Sequence, residues 1–194
     1  MTAPVLHALV TGAPPATRVD ELVRLARRDG WRVCVAASPD ARKFLDVPAL
    51  VEATGHPVLS EYRQPGEPPL VPHPDALILA PATGNTLAKW AAGISDTYVL
   101  GLLVEAVALG TPVVAVPFSN RAHLAHPAVA DAIDRLRSWG VTLPSRDDIY
   151  PPHPSGPSAL YAAAFDWPAV WSALRARTAD DLSGPGVPTS EKHQ

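Results

Sequence analysis

The sequence predicts an α/β fold, a parallel sheet with helices covering both faces. Three observations predict it. Short runs of Val, Leu, Ile and Ala recur without polar alternation, stretches of helical periodicity lie between them, and Gly, Pro, Ser and Thr punctuate the junctions. A strand that is apolar on both sides must be buried on both sides, which is the position of a parallel strand under crossover helices.

Val5 to Thr11 is the first such strand and ends at Gly12-Ala13-Pro14-Pro15. Thr17 then reads as a helix cap with Asp20 three residues on. Val19, Leu22, Val23 and Ala26 fall on one helical face, and Gly30 closes the helix. Trp31 to Ala37 is the second strand, followed by Ser38 as a cap and Pro39 at the first helical position. A helical piece around Ala49–Ala53 leads to a short third strand, His56 to Ser60. Residues 61–74 are polar and proline-rich, a loop. Asp75 to Ala80 is the fourth strand, followed by the turn Pro81 to Thr86. Helices around Leu87–Ala92 and Tyr98–Ala108 precede the fifth strand, Pro112 to Val116. Pro127 to Trp139 is amphipathic through Val129, Ile133 and Leu136, stops at Gly140, and runs into Val141-Thr142-Leu143. Residues 144–158 are again proline-rich, and Asp166-Trp167-Pro168 opens a last helix to Arg177. Residues 1–177 therefore read as one domain, and 178–194 as a disordered tail.

Composition excludes several function classes. The 194 residues carry 16 Lys and Arg against 19 Asp and Glu, a formal charge of −3, so there is no basic footprint for nucleic acid and no polybasic patch for a membrane surface. No apolar run reaches the roughly 18 residues of a membrane span, and the N-terminus lacks the basic region of a secretory signal. A single cysteine, Cys34, excludes an internal disulfide framework and a multi-thiolate metal site, and fits a reducing, cytoplasmic setting. Mid-strand, Cys34 reads as a small core side chain. His123, His126 and His153 lack a carboxylate at fixed spacing, so no metal site is expected, and His126-Pro127 reads as a helix start. Ser119 with His123 lacks the Gly-x-Ser-x-Gly elbow of a hydrolase.

In open α/β sheets, ligands bind beyond the carboxyl ends of the strands, where helix starts present free N–H groups. Four segments fall on that rim: Thr11-Gly12-Ala13, Ser38, Pro81 to Thr86, and Pro117 to Asn120. Their hydroxyls, amides and small residues suit a phosphate or a flat polar heterocycle, and serve equally as ordinary turn and cap residues. Neither the Gly-x-x-x-x-Gly-Lys-Ser/Thr loop nor Gly-x-Gly-x-x-Gly is present, which disfavours the usual ATP and NAD sites.

Ala80 to Asp96 resembles the APxSANTxAKxAxGxxD signature of the homo-oligomeric flavin-containing cysteine decarboxylases. These include phosphopantothenoylcysteine and lanthipeptide decarboxylases, with flavin prenyltransferases as more distant relatives. Ser38 to Phe44, Thr54 to Val58, Pro117 to Asn120 and Leu136 to Val141 match further segments of the same family in order, over roughly residues 5–145. The resemblance implies a Rossmann-like, flavodoxin-like three-layer fold with a six-stranded parallel sheet. It also implies FMN bound near a subunit interface, and trimers or dodecamers. By the resemblance, Gly12, Ala13 and Ser38 hold the FMN phosphate, and Pro81, Ala82, Thr83, Gly84, Asn85 and Thr86 line the flavin. Asn120 meets the substrate carboxylate, and Phe118 and Ser119 form the pocket wall where the family has Ala and Met.

Two departures bear on chemistry. The family's histidine before the fourth strand aligns with Glu67, leaving His73 as the nearest catalytic candidate, and residues 144–165 lack the flap cysteine of the phosphopantothenoylcysteine branch. The expected function is an FMN-dependent oxidative decarboxylase acting on a small carboxylic acid or a peptide C-terminus. The alternatives are a flavin prenyltransferase-like enzyme, for which Arg63 and Arg121 are the nearby cations, and a non-catalytic FMN-binding or regulatory subunit.

Overall fold

The computed structural model describes residues 2–151, 153–156 and 158–183. Its centre is a parallel sheet of four strands: β1 (Val5–Val10), β2 (Arg32–Ala37), β3 (Ala76–Ala82) and β4 (Val113–Pro117). They lie in the order β2-β1-β3-β4. Almost every residue of these strands is buried, so the unbroken apolar runs are used as predicted, on both faces.

The sheet has four strands where six were expected. Each of the two outer candidates is reduced to a single bridge. Leu59 bridges Ala36, donating its N–H to Val35 O at 3.0 Å and accepting from Ala37 N–H at 2.8 Å. Thr142 bridges Val114, accepting from Ala115 N–H and donating to Val113 O, both at 2.9 Å. Pro57 and Pro144 stand two residues from these bridges and have no N–H to extend a ladder.

Helices cover both faces. On one side α1 (Val19–Arg28) and α8 (Trp167–Ser183) pack on Leu6, Ala8 and Val10. The stripe Val19, Leu22, Val23 and Ala26 is buried, as its spacing predicts. On the other side α3 (Gly84–Ala91), α4 (Tyr98–Leu109) and α6 (Pro127–Ser138) pack on Leu9, Leu77 and Leu79. The remaining helices are α2 (Val47–Thr54) and two single turns, α5 (Arg121–Leu124) and α7 (Ala159–Ala162).

Local starts differ from expectation in instructive ways. Pro14-Pro15 set a 3₁₀ turn over Pro14–Arg18, so Thr17 does not cap α1 and instead donates to Pro14 O at 2.8 Å. Pro39–Phe44 is likewise 3₁₀, and Ser38 at its cap position makes no side-chain capping bond. Helix α8 continues past Arg177 to Ser183, whereas residues 184–194 of the expected tail lie outside the described residues. Strand β3 runs through Pro81 to Ala82, with a register shift after Leu79 and a cis Ala80–Pro81 peptide.

Candidate functional site

The parallel register places the ends of β2, β1, β3 and β4 on one rim in that order, and with them Ser38, Gly12, Thr83 and Asn120. Three strand spacings, about 14 Å, separate the Ser38 end from the Asn120 end. A cleft of about 340 Å³ opens at the Ser38 end, lined by Gly12, Ser38, Asp40, Thr83, Asn85 and Thr86, with Lys43 and Lys89 beside them. Thus Gly12, Ser38, Thr83, Asn85 and Thr86 from the predicted set share one cavity.

The turn after β3 is held to the end of β1 through Thr11, whose backbone N–H donates to Pro81 O at 3.2 Å. Buried Thr11 Oγ1 donates to Pro81 O at 2.7 Å and accepts from Thr83 N–H at 2.9 Å. Thr83 in turn caps α3, its Oγ1 lying 3.4 Å from Thr86 N and 3.0 Å from Thr86 Oγ1. The N–H groups at the first turn of a helix have no intrahelical acceptor, so the start of α3 is a natural anion-facing surface. Asn85 is exposed and takes no part in the cap, which leaves its amide for a ligand. Gly12 is needed for closeness: a Cβ there would stand 2.8 Å from Asp40 Cβ. Asp40 brings a carboxylate to the cleft, with Lys43 Nζ 3.3 Å away.

Not every predicted contact faces the cleft. Ala13, Pro81 and Ala82 are buried and do not line the cleft. Phe118 is 2% exposed and packs against Tyr150, with ring centroids 4.7 Å apart, and against His153 and Phe165. It is a core residue rather than a pocket wall. This plug also fixes the end of β4. Tyr150 Oη donates to Pro117 O at 2.7 Å, and Arg121 N–H donates to His153 O at 3.0 Å.

At the β4 end, Asn120 Oδ1 accepts from His123 N–H at 2.8 Å, which caps α5 and leaves the Asn120 amide nitrogen free to donate. Ser119 Oγ lies 2.9 Å from His123 Nδ1. His73, the catalytic candidate from the sequence, is elsewhere within the chain. It precedes Asp75, whose carboxylate accepts from Val5 N–H at 2.7 Å, so it sits at the amino ends of β1 and β3. The seven residues of β3, about 23 Å of strand, lie between it and the cleft rim. The exposed His73 ring contacts Pro74 O, whereas its loop is tied down by buried His7, whose Nε2 is 2.9 Å from Pro72 O. Burial lowers the His7 pKa from its ordinary value and raises the Cys34 thiol to about 11, so neither is poised for chemistry. The sequence set the Ser119–His123 pair aside for want of a hydrolase elbow; the structure forms the contact across the single turn of α5.

No described helix is long and apolar enough to cross a membrane. Residues 3–176 match the family described as Flavoprotein. The chain is 33% identical over 146 residues to the coenzyme A biosynthesis bifunctional protein CoaBC of Thermococcus kodakarensis, covering 69% of this chain and 35% of that one. It therefore spans about a third of the length of that relative. It is 28% identical to a probable phosphopantothenoylcysteine decarboxylase of Streptococcus mutans, over 72% of this chain and 80% of the relative. Among solved structures it resembles the FMN-dependent cysteine decarboxylase TvaF from thioviridamide biosynthesis, with a TM-score of 0.65 and 27% identity over 75% of this chain and 91% of that one. A phosphopantothenoylcysteine decarboxylase mutant shares the fold, with a TM-score of 0.71 at 19% identity, over 91% and 99% of the two chains. With the match running almost the whole length of the α/β domain, the chain belongs to the Flavoprotein family.

Proposed function

We propose that this chain binds FMN along the carboxyl rim of its sheet and decarboxylates, oxidatively, a small carboxylic acid or the C-terminus of a peptide. The observation that carries the reading is the cleft, which joins the loop after β1, the uncapped Ser38 and the first turn of α3. These residues fit FMN. The Gly12 backbone and the Ser38 hydroxyl suit its phosphate, with Lys43 and Lys89 beside the cleft, each paired with an aspartate, and the turn Pro81–Thr86 suits the ring system. The separation along the rim suits an elongated molecule. When bound, FMN supplies a two-electron oxidant. The chain's own residues bind and orient: Asn85 offers its amide to the cofactor, and the free Asn120 nitrogen suits a substrate carboxylate. The named activities of the relatives support decarboxylation.

Association into a homotrimer, or a dodecamer built from trimers, is part of the same reading. Helix α4 is apolar nearly all round, and beyond its buried face it leaves Leu102, Val104 and Leu109 in partial or full contact with solvent. A helix of that kind is normally covered. The single buried thiol is in keeping with a cytoplasmic setting. A second reading, a non-catalytic FMN binder, is favoured by the remote His73 and the cysteine-free segment 144–165.

One sample tests the reading. The FMN-loaded protein is incubated anaerobically with a peptide ending in cysteine or with phosphopantothenoylcysteine, while CO2 release and flavin bleaching are followed together. Turnover of the peptide without turnover of phosphopantothenoylcysteine is expected. Bound flavin with neither reaction would favour the non-catalytic reading, and absence of bound flavin would overturn both.

A further inference from the structure

Proton transfer at the β4 end of the rim needs an ionisable side chain there, and His123 is held in that place from two sides. Its Nδ1 is 2.9 Å from Ser119 Oγ, and its backbone N–H is held by Asn120 Oδ1 at 2.8 Å. Across the gap lies the start of α3. A Cβ on Gly84 would come 3.5 Å from His123 Nε2, so that nitrogen lies over the residue preceding cleft-lining Asn85. The ring is exposed, so substrate and water can reach it.

We infer that His123, oriented by Ser119, is the general acid–base residue of this site. The inference rests on the flavin-dependent reading above. With Nδ1–H donating to Ser119 Oγ, Nε2 is left with its lone pair. It takes one proton from a substrate thiol or hydroxyl: the S–H or O–H bond breaks, its electron pair stays on sulfur or oxygen, and an N–H bond forms. The imidazolium later returns that proton to product or water, and the histidine itself is neither oxidised nor reduced. Histidine is the side chain most often used for positioned proton transfer.

The charged neighbours are few or already engaged. On α3, Lys89 is paired with Asp96, and on α6, Arg137 is paired with Asp134 while Arg135 donates to Ala91 O. Arg121 and His126 stand on the same segment and Asp131 on α6, and buried His153 accepts the Arg121 N–H through its carbonyl at 3.0 Å.

The test uses the FMN-loaded full chain. Imidazole C2–H signals are titrated by NMR from pH 5 to 8, with the flavin absorbance recorded in the same samples. The flavin spectrum should change with the midpoint of the His123 signal and become pH-independent in His123→Gln. The change should persist in His126→Gln and His73→Gln. Circular dichroism of each variant confirms the fold. A flavin spectrum flat across this range, or a change that survives His123→Gln or disappears in His73→Gln, overturns the proposal. A protein with no flavin band removes the reading beneath it, an outcome visible before any titration begins.

Discussion

Thr11 and Thr83, 72 residues apart in sequence, are joined by a single hydroxyl that accepts the Thr83 N–H at 2.9 Å while donating to Pro81 O at 2.7 Å. That hydroxyl is 1% exposed with its residue, so water cannot replace it. Thr11→Val keeps the shape and leaves the Thr83 N–H without its acceptor, while Pro81 O keeps the Thr11 backbone N–H at 3.2 Å. The expected cost is about 1–3 kcal/mol. Because Thr83 caps α3, flavin affinity should fall as well. Urea denaturation and an FMN titration of the same variant check the two effects; unchanged stability would show that the hydroxyl is dispensable.

The two rim asparagines should separate by readout. Asn85 lines the cleft and caps nothing, so Asn85→Ala is expected to weaken FMN binding roughly ten- to hundredfold while leaving stability nearly unchanged. Asn120 caps α5, so Asn120→Ala should cost about 0.5–2 kcal/mol of stability with the smaller effect on FMN. Equal flavin loss in both variants would show the roles to be wrongly assigned.

Two glycines in the site differ in what they tolerate. At Gly12 a methyl group would press on Asp40 Cβ at 2.8 Å, so Gly12→Ala must push the turn Pro39–Phe44 away and open the phosphate end of the cleft. At Gly84 the nearest atoms are 3.5 Å away, an ordinary contact. Gly84→Ala should fall within about 0.5 kcal/mol of the parent, whereas Gly12→Ala should lose most of its flavin affinity. Thermal melts with and without FMN distinguish them.

Buried His7 gives the stability a pH slope. Its folded pKa lies below the ordinary 6.5, chiefly through burial, with His73 and His56 adding to the depression against the bond to Pro72 O. Below pH 6.5 the unfolded chain takes up a proton that the folded chain resists, so stability falls as pH falls. His7→Gln should flatten this decline between pH 7 and 5, measured by denaturation midpoints. A slope identical to that of the parent would place its origin elsewhere.

Much of the fold was legible because burial leaves a period in the sequence. The apolar runs at Val5–Val10 and Val113–Pro117 and the stripe of α1 read directly as strand and helix. The edges did not, since His56–Ser60 and Val141–Leu143 have strand composition but adjoin prolines that limit each to one bridge. Composition does not count hydrogen bonds. At the site, rim positions followed from topology, so Gly12, Ser38, Thr83, Asn85 and Thr86 converge as their spacing implies. Side-chain direction did not follow: Phe118 turns into the core and His73 stands at the far ends of the strands. The Ser119–His123 pair depends on a single helical turn, too short to leave any periodicity.

The central claim is that the rim cleft holds FMN, and a spectroscopic titration tests it most directly. The purified protein is examined for a flavin absorption band, its released chromophore is identified, and the flavin-free protein is then titrated with FMN, following flavin fluorescence. The account predicts copurified FMN and rebinding at micromolar concentration or below, weakened in Asn85→Ala. A colourless protein that leaves the fluorescence of added micromolar FMN unchanged would contradict it.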